Sequence, residues 1–120
     1  TNLSGEYAHR TCCIVGIRGS LIRDERDVAA ALTRALLDAG EIVATQPEVA
    51  AAAFAKYGGE GSVEDLATIL GDHTHGHQPT GDELKENIVL YAEELKLVDV
   101  FEPETDSVAF AESIYADVLS

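Results

Sequence analysis

The chain has 120 residues, room for one domain or part of one, which excludes a multi-domain enzyme while leaving enough for a core. Its 22 Asp and Glu against 8 Lys and Arg give a formal charge of −14, which repels phosphate backbones and anionic headgroups and makes nucleic acid and membrane surfaces poor partners. With 46% apolar residues and no apolar run near the roughly 18–20 that cross a bilayer, it reads as a soluble globular chain.

The opening Thr1-Asn-Leu-Ser-Gly5 has no initiator Met, and no Met occurs anywhere, so a processed or excised piece of a longer product is expected, with any signal peptide outside it. The run Thr11-Cys-Cys-Ile-Val-Gly-Ile17 is apolar without alternation, the pattern of a strand buried on both faces, and predicts a strand over 11–18. Beyond Asp24, Val28, Leu32, Ala35, Leu36, Ala39, Ile42 and Val43 follow the 3.6-residue period. Gly40 costs about 1 kcal/mol against Ala in a helix interior. The phase survives it, which favours one long helix over a break and a short second segment.

Thr45-Gln-Pro-Glu48 has the form of a capping box with Pro in the first turn. Val49, Ala53, Phe54 and Tyr57 then line one face until Gly58-Gly59 ends the helix. Ser62-Val-Glu-Asp65 starts a short helix with Val63, Leu66, Ala67 and Leu70 on its apolar face and Gly71 as its stop. Thr80-Gly-Asp-Glu83 starts the second long one, carrying Leu84, Ile88, Tyr91 and Leu95. Leu97–Phe101 leaves it, Pro103 prevents a return, and Asp106 caps a last helix with Phe110, Ile114, Tyr115 and Val118.

The expectation is therefore a helix-rich α/β domain over 1–120, one buried strand and five helices, with no repeat, low-complexity tract or domain boundary. It carries a physical difficulty. A strand buried on both faces needs partners for its N–H and C=O groups, and no second long strand is present to supply them. Either the chain is a segment of a larger α/β domain, or the strand pairs with another chain, or 11–18 is not a strand.

Nucleophilic catalysis has little footing, because Ser20 and Ser62 lack a G-x-S-x-G elbow and neither Cys has a His at a family-specific spacing. Gly16-Ile-Arg-Gly19 lacks the third Gly of a dinucleotide fingerprint and the Lys of a phosphate loop. No enzyme activity is expected. His73, His75 and His77 alternate, so in an extended loop their imidazoles point one way and suit a shared zinc, nickel or copper ion; the same loop also serves as a plain connector from Gly71 to Thr80. No other cofactor is expected. Cys12 and Cys13 could bind a metal or form a strained vicinal disulfide, but on a strand they would face opposite sides, which favours two small buried apolar residues. Arg10, Arg18 and Arg23 bracket the strand, either as a local anion site or as partners of carboxylates. Glu83, Glu86, Glu93 and Glu94 solubilise their helix, since no Asp-rich loop with a Gly turn supports calcium.

The series Arg10-Thr-Cys-Cys-Ile-Val-Gly-Ile-Arg18, Leu32-Thr-Arg-Ala-Leu-Leu-Asp-Ala39, the His loop, Asn87-Ile-Val-Leu-Tyr-Ala-Glu-Glu-Leu-Lys-Leu-Val98 and Ile114-Tyr-Ala-Asp-Val-Leu119 resembles the C-terminal part of nitrate, bicarbonate and sulfonate binding proteins. These are type II periplasmic binding proteins that serve ABC importers. The resemblance covers about Tyr7 to Ser120 and rests on element order rather than on an invariant motif. It implies the closing portion of lobe one of a two-lobed protein, whose sheet is built by residues absent here. It further implies a periplasmic or otherwise extracytoplasmic location, a small anion held between the lobes, and a permease as partner. Arg10, Thr11 and Arg18 are the positions here that fall at the edge of such a pocket. Two rival expectations come from the residues themselves: a small helical transition-metal protein using His73, His75 and His77, and a module that dimerises through the 11–18 strand.

Overall fold

In the computed structural model, which describes residues 5–73 and 80–120, the chain folds into six α-helices, with no strand among the described residues. They are α1 (Gly19–Asp24), α2 (Arg26–Thr45), α3 (Pro47–Lys56), α4 (Val63–Asp72), α5 (Gly81–Leu97) and α6 (Ser107–Ile114), preceded by a 3₁₀ turn at Gly5–Tyr7. Two compact units result, one of Thr1–His9 and Ala30–Gly76 and the other of Arg10–Ala29 and His77–Ser120, so that the division falls inside α2.

The α/β expectation is thereby corrected: the fold is all-helical, and 11–18 is irregular backbone with Cys12–Gly16 exposed. The reason is the one the sequence raised. A continuous apolar run specifies a buried strand only when neighbouring strands accept its backbone groups, and pairing rather than local preference decides the outcome. Here no neighbour exists among the described residues, and Ile14 and Val15 stand 60% and 64% exposed.

The helices follow the sequence more closely. α2 runs through Gly40 without a break, as the unbroken apolar phase predicts. Ser62 caps α4, accepting from the Asp65 N–H at 3.1 Å, and Asp106 caps α6, its carboxylate accepting from the N–H groups of Val108 and Ala109 at 3.1 and 3.0 Å. The Thr45 capping box does not form. Thr45 remains the last residue of α2, its hydroxyl donating to the Glu41 carbonyl at 2.7 Å, and Gln46 takes the cap position of α3 with no side-chain bond. Thr80 stands at the cap of α5 but makes no side-chain cap bond either. α1 is a sixth helix that the sequence reading did not anticipate, and α6 stops at Ile114, before Tyr115 and Val118.

Two helices end alike. After α3 the N–H of Gly59 reaches the Phe54 carbonyl at 2.9 Å and that of Gly58 the Ala55 carbonyl at 3.5 Å, the paired reverse bonds of a Schellman ending, with Gly58 at φ +102°. After α5 the N–H groups of Val100 and Asp99 reach Leu95 and Lys96 at 2.9 and 3.2 Å in the same pattern, but the left-handed position holds Asp99 at φ +57°.

In the first unit α3 packs on α4; in the second α5 packs on α6. The buried apolar residues are Ala29, Ala30, Ala51, Ala92, Ala111 and Val118, and no large side chain is fully buried among the described residues. Alanines at the contacts let helix backbones approach closely. The apolar stripe of α2, by contrast, lies open: Val28, Leu32, Leu36 and Ile42 are all exposed.

Candidate functional site

The segment carrying Arg10, Thr11 and Arg18 lies in the second unit and is anchored to α5 at one end. The Thr11 N–H donates to the Asn87 side-chain carbonyl at 3.1 Å, while the Asn87 amide donates to the Glu83 carbonyl at 2.8 Å, so Asn87 ties the segment to the turn of α5 before it. Arg10 forms an ion pair with Glu94, about two helical turns of α5 beyond Asn87. Thr11 is buried, and its hydroxyl oxygen has no hydrogen-bond partner among the described residues. Arg18 is exposed and carries no ion pair among them; its carbonyl accepts from the Ile22 N–H at the start of α1.

The three residues are thus in different states. Arg10 has its charge answered by a carboxylate, Thr11 holds a buried acceptor and donor in reserve, and Arg18 presents a free guanidinium. In a chain of charge −14 that guanidinium is the group of the three best able to meet an external anion.

Of the proposed metal triad, His73 ends α4, exposed, with Nδ1 at 3.4 Å from the Ile69 carbonyl. His75 and His77 lie outside the described residues, and no group of three or more His, Cys, Asp or Glu able to hold a metal occurs among those described.

Cys12 and Cys13 are both free and exposed, with their sulfurs 3.7 Å apart. This departs from the expectation of two buried residues on opposite faces, and follows directly from the loss of the strand. The hydrogen bond that the Cys13 thiol donates to the Cys12 sulfur, and then the charge of Cys12, push the Cys13 thiol above its ordinary value.

A feature missed in the sequence is an open apolar hollow of about 740 Å³ in the first unit. α2 contributes Ala39, Ile42 and Val43, α3 Val49, Ala50, Ala51, Ala53 and Phe54 with Tyr57 just beyond it, and α4 Leu66, Ile69 and Leu70. Apart from Ala50, Ala51 and Ile69, these are residues that the helical period marked as apolar faces, so the signal for an apolar surface was present and the signal for its openness was not. Tyr57 brings the one side-chain polar group, with the Lys56 ammonium 5.3 Å from its ring centre.

In the second unit, polar contacts link the elements instead. The Gly81 N–H donates to the Tyr115 hydroxyl at 2.7 Å, Ser107 donates to Glu93, Arg26 donates to the Asp117 carbonyl, and Phe101 meets Phe110 edge to face at 4.9 Å. Lys85 pairs with Asp82 at 2.6 Å, which lowers the Asp82 carboxyl and raises the Lys85 ammonium. Glu93 is held below the ordinary carboxylate range by Lys96 first and Ser107 second.

No protein-family model, curated protein or solved structure matches this chain. No helix among the described residues is long and apolar enough to cross a membrane.

Proposed function

We propose that this chain is the C-terminal portion of an extracytoplasmic solute-binding protein that delivers a small oxyanion or sulfonate, such as nitrate or bicarbonate, to the permease of an ABC importer, without chemistry on the ligand. The observation that carries the reading is the amount of patterned apolar surface left uncovered: the α2 stripe and the hollow bounded by Phe54, Tyr57 and Ile69. Contiguous apolar surface of this kind on a monomeric domain marks a place where other protein sits. A portion of a two-lobed protein has such surface by construction, because the remaining polypeptide packs on it.

Arg18 is the exposed cation of this segment free to contact the anion, while buried Thr11 serves by tying the segment to α5 through its N–H and Asn87. An Arg fork is suited to a planar oxyanion because its donors match two oxygens at once. Arg10 serves by fixing the segment to α5 through Glu94.

The test is calorimetric titration of the complete product of the native gene with nitrate, bicarbonate and a short alkanesulfonate. Binding of one of them, weakened about tenfold or more in Arg18→Ala, is expected, a loss of roughly 1.4 kcal/mol or more. Absence of heat with all three overturns the reading, and unchanged affinity in Arg18→Ala removes Arg18 from the site.

A further inference from the structure

The two cysteines, set aside by the solute-binding reading, form a site of their own. They are adjacent in sequence, both exposed, and their sulfurs stand 3.7 Å apart. On a regular strand neighbouring side chains point to opposite faces, so this approach depends on the irregular backbone of the segment.

Two chemistries compete for a close thiol pair, and distances decide between them. A disulfide needs sulfurs at about 2.05 Å and Cα atoms usually about 4.4–6.8 Å apart, whereas neighbouring residues hold their Cα atoms at about 3.8 Å. Two thiolates on one tetrahedral ion with metal–sulfur bonds of about 2.3 Å lie about 3.8 Å apart, because the tetrahedral angle sets the spacing. The observed 3.7 Å matches the second geometry.

We propose that Cys12 and Cys13 form a two-sulfur chelate for a soft, thiophilic divalent metal ion of the zinc and cadmium class. Each thiol releases its proton to solvent and donates a sulfur electron pair to the metal, and nothing is oxidised or reduced. Thiolate sulfur selects such ions over hard cations such as calcium and magnesium, and the acidic chain raises the local concentration of any cation. Two positions on the tetrahedron remain for water, for an external ligand or for the sulfurs of a second chain. No element has to break for the chelate ring to close, because 11–18 belongs to neither helix nor strand.

The experiment is a titration of the full chain, reduced with a phosphine, with cadmium alone, following the ultraviolet thiolate-to-metal absorption that imidazole and carboxylate ligands do not produce. The absorption is expected to saturate at one ion for one chain or for two, according to what completes the tetrahedron, with two protons released for each pair of thiols engaged. Cys12→Ser and Cys13→Ser, both at exposed positions and checked for retained helicity by circular dichroism, are each expected to weaken binding at least tenfold. Absence of the absorption, or its persistence at full affinity in either variant, overturns the chelate. Because the readout reports sulfur, binding at the His73 end of α4 cannot imitate it, and with cadmium added as its chloride, free of nitrate, bicarbonate and sulfonate, the result is independent of the solute-binding reading.

Discussion

The two units are built from helices of the same kind and treat them differently. In α3 the patterned residues Val49, Phe54 and, just past its end, Tyr57 remain exposed, Tyr57 by 83%, and they edge an open hollow. In α5 the equally regular Leu84, Ile88, Tyr91 and Leu95 are all half-buried, with Ala92 closed against its surroundings. What differs is the crosslinking around the apolar face. The second unit fastens its pieces with Arg10 to Glu94, Thr11 to Asn87, Gly81 to Tyr115 and Ser107 to Glu93. Periodicity therefore states which face seeks burial, whereas the presence of a cover states whether burial is achieved.

The sharpest way to break this comparison is to delete one aromatic from each unit. Phe110→Ala removes a half-buried ring in edge-to-face contact with Phe101 and is expected to destabilise α5 and α6 by about 2–3 kcal/mol. Phe54→Ala, at an exposed position, is expected to cost α3 and α4 less than about 1 kcal/mol. Amide exchange read helix by helix separates the two, and equal losses would show that the hollow of the first unit is closed in solution.

The caps sharpen the comparison by supplying a term that ought not to depend on the unit. Asp106→Ala leaves two N–H groups of α6 without their side-chain acceptor and is expected to cost about 1–2 kcal/mol. Ser62→Ala frees one N–H of α4 and is expected to cost about 1 kcal/mol. Chemical denaturation of both variants checks this. A much smaller cost for Ser62→Ala would mean that α4 frays in the intact chain.

Smaller still are the two helix endings, whose geometry is shared and whose residues are not. Asp99→Gly relieves a left-handed non-glycine residue and is expected to raise stability by up to about 1 kcal/mol, while Gly58→Ala imposes the same strain and lowers it by about 1 kcal/mol. Thermal melts that move in the same direction for both would contradict the shared ending.

The least effect concerns pH. Glu93 titrates below the ordinary carboxylate range in the folded chain, so its interactions with Lys96 and Ser107 stabilise the fold above the unfolded value near 4.3, and that contribution is lost as pH falls through the lower folded value. The melting temperature of the parent is expected to exceed that of Glu93→Gln at neutral pH, and the gap to close on acidification through that range. A gap that persists at pH 3 would place the effect of the substitution in packing rather than in charge.

The existence of α2 to α6, the passage of α2 through Gly40, and the caps at Ser62 and Asp106 were legible in the sequence, because each depends on residues within a few positions of one another. The Thr45 cap was misread because α2 continues through Thr45, whose hydroxyl donates back to the Glu41 carbonyl, so that Gln46 takes the cap position of α3. α1 was missed because its six residues, Gly19 to Asp24, are too few to display a period. At the candidate site, the chemical types of Arg10, Thr11 and Arg18 were legible and their states were not. That Glu94 would answer Arg10 across 84 positions of sequence, and leave Arg18 free, has no local signal.

By itself the sequence determined the acidity of the chain, its helical character and the faces that seek burial, since charge and periodicity are properties of neighbouring residues. Tertiary structure alone decided that Thr11–Ile17 would not be a strand, that Cys12 and Cys13 would meet in solvent, and that α2 and α3 would keep apolar faces open. Strand pairing, burial and the closure of a core each require a partner distant in the chain, and a pattern of residue types expresses the need for that partner without supplying it.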